Sequence, residues 1–235
     1  MDGPLPDPEG TETEGFIRSR GMRFPKHPEI IKGRVRKLLR QNAYEDKETN
    51  AALRVVRPGD VVLELGGGIG YMSTLVATKR DVKSVHSFEA NPHLIPYIRQ
   101  VHAANGVTNA EVTNALLGPR KGSADFYVRD PMLGSSLEVL EGEVDPPSVK
   151  VDVLNAGTVF KDIAPNVLIC DIEGAEMDLI PQLPLKGLRA AILETHPQWI
   201  GPKGINRVMQ AFMDAGLAYY HRGSEGKVLC FRTEW

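Results

Sequence analysis

The ten residues 61–70, Val-Val-Leu-Glu-Leu-Gly-Gly-Gly-Ile-Gly, constrain this chain more than any other stretch. A short apolar strand ends there in Gly66, Gly67, Gly68 and Gly70, and helical spacing begins at once, over 71–78. A strand that turns straight into a helix through glycines is the opening unit of a parallel α/β sheet. The turn needs dihedrals that side chains resist, and bare backbone lets a ligand approach. The alternation then continues. Strands are expected over 84–89, 110–116, 167–171 and 190–194, and helices over 92–105, 175–182 and 203–215. Residues 123–128 read as one strand of an inserted hairpin, and 218–222 with 227–232 as a terminal antiparallel pair. The expected fold is α/β and Rossmann-like: a mostly parallel seven-stranded sheet with helices on both faces.

Two acids qualify the glycine loop. Glu89 closes the second strand nineteen positions after Gly70, where a carboxylate can accept both hydroxyls of a ribose. Glu64 stands two positions before the first glycine. An acid there repels a pyrophosphate but suits the cationic amino-acid end of S-adenosyl-L-methionine. The spacing Gly66-x-Gly68-x-Gly70 also departs from the dinucleotide pattern Gly-x-Gly-x-x-Gly. The methyl donor is therefore expected over NAD. Its site is expected to comprise Glu64, Gly66, Gly67, Gly68, Gly70, Glu89, Ala90, Asn114, Ala115 and Asp171. Asn114 reads either as a turn former or as a group reaching the adenine edge.

The flanking composition sets the remaining bounds. Residues 1–15 carry five acids, three prolines and no base, which predicts a disordered acidic tail. Over 16–40 nine bases face a single acid, Glu29, and Ile30, Ile31, Val35, Leu38 and Leu39 recur at helical spacing. An amphipathic helix with a basic outer face is expected, followed by a second helix over 46–55, so that 16–57 forms a helical cap on a catalytic domain at 58–235. The basic face is either a solvated surface or a steering surface for an anionic substrate. A net charge of −2 excludes a polycation built to coat nucleic acid or membrane. The longest apolar runs are far too short to span a bilayer, and no secretory leader is visible, so a cytoplasmic protein is expected. Cys170 and Cys230 offer neither a disulfide framework nor metal-ligand spacing.

A second motif, Val-Leu-Ile-Cys-Asp-Ile-Glu-Gly-Ala-Glu, occupies 167–176. Ligands of open parallel sheets bind beyond the carboxyl ends of the strands, so Asp171 points toward the crevice of the glycine loop. The following strand brings Glu194 and His196 to the same edge. Glu176 is accounted for by the dipole of the helix it opens. His196, before Pro197, reads either as a catalytic group or as a structural histidine. Asp171 with Glu194 or His196 could hold Mg²⁺, but the spacing does not demand a metal and none is expected.

On these residues the chain resembles the FkbM family of S-adenosylmethionine-dependent methyltransferases, from Tyr44-Glu45 to the 190s. The resemblance rests on Pro58-Gly59-Asp60 leading into Glu64 to Gly70, on Phe88-Glu89-Ala90-Asn91-Pro92, on Gly134-Ser135-Ser136-Leu137, and on Asp171-Ile172-Glu173-Gly174-Ala175-Glu176. Two positions depart from it: Gly68 stands where the family often has Asn, and Ile169 where it often has Lys. The resemblance implies a class I methyltransferase fold and methyl transfer to a hydroxyl of a natural product or sugar. An alcohol needs a base beside it, and Asp171, Glu173 and His196 are the candidates. Ser135, Ser136 and Glu194 are the expected acceptor contacts, with the loop 131–147 as an acceptor-side lid. The expected partner is thus a small-molecule acceptor, with nucleic acid and membrane disfavoured and a homo-oligomer left open. Two other readings are carried: an RNA- or N-directed methyltransferase using the basic segment, and a binding protein without turnover.

Overall fold

The computed structural model describes residues 15–129 and 146–234. The acidic-tail expectation for 1–14, and Ser135 and Ser136 with most of the 131–147 loop, lie outside the described residues.

The sheet forms around β3 (Val61–Leu65), the strand of the glycine motif. Parallel to it on one side run β4 (Ser84–Glu89) and then β5 (Ala110–Asn114). On the other side run β9 (Val167–Cys170) and β10 (Ala190–Glu194), also parallel. The sheet closes with β12 (Val228–Arg232), antiparallel to β10, and the two-residue β11 (Ala218–Tyr219). The seven-stranded order is β11-β12-β10-β9-β3-β4-β5, the architecture expected from the alternating pattern.

Alternation along each strand feeds two cores. Val62, Val85, Val167 and Ile192 face α2 (Asp46–Val55), α3 (Tyr71–Lys79) and α4 (Ile95–Ala104). Leu63, Leu65, Leu168 and Leu193 face the opposite layer, with Phe160 of α5 (Ala156–Ile163) and Val208 and Phe212 of α7 (Pro197–Asp214). Register sets Leu65 opposite Phe88 and Cys170, so three parallel strands end level at the same edge.

Three local differences from the sequence reading have physical causes. The basic segment opens with a hairpin, not a helix: β1 (Phe16–Ser19) pairs with β2 (Met22–Pro25) through Arg20-Gly21, both at positive φ. Ile17, Ser19, Met22 and Phe24 are buried on one face, a period of two that the helical apolar residues further along overshadowed. The basic helix is confined to α1 (Gly33–Arg40). Next, the expected strand 110–116 breaks, and β6 (Leu116–Gly118) leaves to form a second sheet with β7 (Gly122–Tyr127) and β8 (Ser148–Asn155). The sequence reading did not assign β8 or α5, although Val149, Val151 and Val153 alternate with polar residues and Asn155 caps α5 by accepting the Thr158 N–H. Last, α7 starts at Pro197, six residues before the expected start, because a short first turn joins it across a kink at Gly201-Pro202.

The hairpin is packed onto the sheet's helices. Phe24 stacks on Tyr71 at 5.4 Å, the Tyr97 hydroxyl donates to the Pro25 carbonyl, and Asn105 bonds the backbone of Arg23 in both directions. Tyr44 joins this cluster, its ring 5.2 Å from Tyr71.

At the opposite edge Asp60 clamps three strands. It accepts from the Arg189 guanidinium through both oxygens, from Asn166 Nδ2 at 3.1 Å and from the Arg57 N–H at 2.7 Å. Asn166 Oδ1 in turn accepts the Val61 N–H. Asp60→Asn leaves a largely buried guanidinium without its counter-charge, and should lower unfolding free energy by about 3 kcal/mol in urea titrations. An unchanged midpoint and slope would refute the clamp.

Candidate functional site

The site begins with how closely β3 and β9 meet. The Asp171 N–H donates to the Leu65 carbonyl at 2.9 Å, and Gly66, at φ 88°, lies against the Asp171 backbone. A methyl group on Gly66 would sit 1.8 Å from the Asp171 carbonyl oxygen. Gly67 is nearly as confined, since a methyl group on it would sit 2.7 Å from Ser87 Oγ, and Gly70 adopts φ 73° to open α3. Two of the expected donor residues, Gly66 and Gly68, line a crevice of about 350 Å³, while Gly67 and Gly70 shape the loop beneath it.

Glu89, Ala90 and Ala115 also line that crevice. The Glu89 carboxylate is fixed by backbone donors, Oε1 accepting the Asn91 N–H at 2.7 Å and Oε2 the Gly68 N–H at 2.8 Å. Burial raises its pKa, and these donors oppose the rise. Asn114 donates to the carbonyls of Glu89 and Ala90, tying the ends of β4 and β5 together, and is not among the lining residues. Glu64 is 2% exposed and also lies outside the lining. Its Oε1 accepts the Ser73 N–H at the start of α3, and burial pushes its carboxyl up to about 7.

The other wall carries the acids. Asp171 and Glu173 line the crevice, together with Tyr44, Glu45, Phe126 and Asp178. Glu173 holds φ 45°, a costly conformation for a residue with a side chain, and Gly174 follows at φ 94° against the Trp199 ring. The turn swings the Glu173 carboxylate toward His196, whose Nε2 lies 3.2 Å from Glu173 Oε2, 3.7 Å from Asp171 Oδ1 and 4.0 Å from Glu194 Oε1. The predicted catalytic trio and Glu194 thus come together, although Glu194 and His196 stand behind the lining residues.

Glu176 requires a correction. It is fully buried, so it is no exposed acid answering a helix dipole. Its Oε1 binds His196 Nδ1 and accepts the Gly174 N–H. Trp199 stacks on the imidazole at 5.2 Å, so the ring is fixed at one nitrogen and on one face. Sequence reasoning also missed Glu45 and Glu48. Burial lifts Glu45 well above the carboxylate range, and Glu48, hydrogen-bonded to Glu194, up to about 7. Asp171 is raised well above its ordinary value by burial and then by Glu194 and Glu173. Burial alone would lower His196, but its bond to Glu176 and the Glu173 and Asp171 charges outweigh that and raise it.

Two outcomes follow from this geometry. Gly66→Ala forces a side chain into the Asp171 backbone at a left-handed φ, and should destabilise the fold by roughly 3 kcal/mol, read by urea unfolding. Glu64, with its folded pKa raised above the unfolded value, favours folding fully below about pH 4.5, and that contribution is lost as pH rises through about 7. Glu64→Gln keeps the acceptor for Ser73 and removes the ionisation. Its melting temperature should gain on the parent between pH 5 and pH 8, and a constant difference would contradict the buried acid.

No protein-family model matches the chain, and no curated protein matches it. Solved structures do. TYW2 of M. jannaschii in complex with AdoMet is 14% identical, with 94% of this chain and 84% of that one covered and a TM-score of 0.50. Trm5b of Pyrococcus abyssi is 15% identical, covering 92% of this chain and 55% of that one, also at 0.50. Precorrin-6y C5,15-methyltransferase of Geobacter metallireducens GS-15 is 12% identical over 88% and 91%, at 0.47. At such identities the likeness is one of fold, and the chain has the Rossmann-like fold of class I methyltransferases.

Proposed function

We propose that the chain is an S-adenosylmethionine-dependent methyltransferase acting on a hydroxyl of a small molecule, in the manner of the FkbM family. The observation that carries it is the pairing of a fixed ribose-type carboxylate, Glu89, with an acid–imidazole cluster on the facing wall of one crevice. Glu89 lines the crevice with two acceptor oxygens side by side, the arrangement a vicinal diol requires. Ala90, Ala115 and Leu116 offer an apolar slot beside it for a flat base. Glu64 acts on the donor's ammonium through its field from under the loop, since its carboxylate does not reach the crevice lining.

The donor supplies an already activated methyl group, so the chain's work is to hold the acceptor in line and remove its proton. As the acceptor oxygen bonds the methyl carbon, the hydroxyl proton passes to a carboxylate at the crevice wall. Asp171 suits that role, because a carboxyl raised by burial is a stronger base than a solvated one. Glu173 faces the same space, and His196, held by Glu176, sets the charge beside them. Ser135 and Ser136 are proposed to contact the acceptor from the 131–147 loop.

An RNA acceptor is the second reading, favoured by the exposed Arg34 and Lys37 of α1. The acid wall of the crevice opposes a polyanion. A binding protein without turnover is separated by assay alone.

Calorimetric titration with S-adenosylmethionine, its demethylated product and NAD tests the proposal. Binding of both sulfur nucleosides but not NAD, weakened at least about tenfold by Glu89→Ala, is expected. Binding of NAD, or of none of the three, overturns it.

A further inference from the structure

We propose that Asp171, Glu173 and His196 bind one divalent cation of the Mg²⁺/Mn²⁺ type, which seats an acceptor through two adjacent oxygens. Glu194 stands next to the set.

The cluster is more than a group of acids. His196 is fixed with Nδ1 on the buried Glu176 carboxylate, its side chain is 5% exposed, and Nε2 points into the space between Glu173 and Asp171. A neutral imidazole that donates from Nδ1 presents a lone pair at Nε2. Nε2 faces the Glu173 and Asp171 carboxylate oxygens, so either a proton on Nε2 or a cation placed between the three groups satisfies them. The Asp171 side chain is 36% exposed, but its Oδ1 is buried and has no hydrogen-bond partner among the described residues. One ligand atom from each of the three residues lies within 4.8 Å of the others. The Nε2 separations of 3.2 and 3.7 Å are close to the roughly 3 Å between neighbouring ligands around a cation with bonds of about 2.1 Å. A carboxylate holding the far nitrogen of a ligating histidine is the usual support of such a site, and here Trp199 adds a stacked face. The positive φ of Glu173 is a standing cost that aims its oxygen at the same point.

The donor set of two carboxylates and one imidazole selects a hard or borderline cation, not a thiophilic one. Three protein ligands leave about three positions of an octahedron, enough for two acceptor oxygens and a water. This rests on the methyltransferase reading and narrows it, naming as acceptor a vicinal diol or hydroxy-carbonyl compound. A cation at the acceptor oxygen eases loss of its proton; with Asp171 engaged as a ligand, that proton passes to the Glu45 carboxylate on the crevice wall instead. The oxygen's electron pair then forms the bond to the methyl carbon, and the sulfur–carbon bond breaks with its electrons retained by sulfur.

Binding is tested on the chelator-stripped full chain. Mn²⁺ is titrated by calorimetry and by the electron paramagnetic resonance signal of the free ion, with Mg²⁺ as competitor. One saturable site per chain, displaced by Mg²⁺ and weakened about tenfold or more in His196→Gln and Asp171→Asn, is expected. No saturable binding below about 1 mM, or binding retained in both variants, overturns the proposal. Should a variant fail to fold, the stoichiometry and Mg²⁺ displacement in the unaltered chain decide. A protonated imidazole or a cationic acceptor filling the space instead would appear as absence of that Mn²⁺ site. S-adenosylmethionine is titrated alongside without metal. Donor binding without Mn²⁺ binding sinks only the cation, whereas Mn²⁺ binding without donor binding keeps the cation and sinks the methyltransferase reading.

Discussion

The close passage of Gly66 over the Asp171 backbone governs the architecture of this molecule. Two parallel strands end level, and the turns that leave them cross with no space for even a β-carbon. Everything chemical in the crevice depends on that contact. It fixes the distance between the loop that faces Glu89 and the turn that carries Asp171 and Glu173. A glycine is required there by contact and dihedral together, since φ 88° is itself disfavoured for other residues.

From that junction the acidic wall follows, at an electrostatic cost the rest of the fold must offset. Asp171, Glu173, Glu45 and Glu48 all have carboxyls raised by burial, and Asp171 and Glu173 are raised further by their acidic neighbours. Native folds hold such concentrations of like charge where ligands are handled, because self-repulsion brings no stability of its own. The positive φ of Glu45 and Glu173 belongs to the same pattern, with strain located where side chains must be aimed. The distant Asp60 clamp, with its paired charges, holds the other ends of the same strands.

Much of this was legible in the sequence. Strand 61–65, strand 84–89 and strand 190–194 agree with the structure residue for residue, because buried parallel strands announce themselves as short apolar runs between turn signals. Asp171, Glu173, Glu194 and His196 were placed together by a topological rule about strand ends, and they do converge. What stayed hidden was long-range. Glu176 looks like an ordinary first-turn acid until His196, twenty residues on, is seen against it. Tyr44 and Glu45 line the crevice with Tyr44 packed on Tyr71 beside Phe24 of the hairpin, a long-range packing no local pattern encodes. Glu64 carried the opposite lesson: an acid singled out for the donor's ammonium accepts the N–H at the start of α3 from beneath the loop.

Trp199 gives the cluster an optical voice. Its indole lies over the His196 ring, is 43% exposed, and is one of only two tryptophans in the chain. Indole emission is quenched by a cationic imidazole in stacking contact and recovers when that charge is withdrawn. Any event that changes the ring's charge, a proton leaving or a ligand arriving, is therefore written into the fluorescence of the unlabelled protein. The same stacking that steadies the imidazole makes its charge visible.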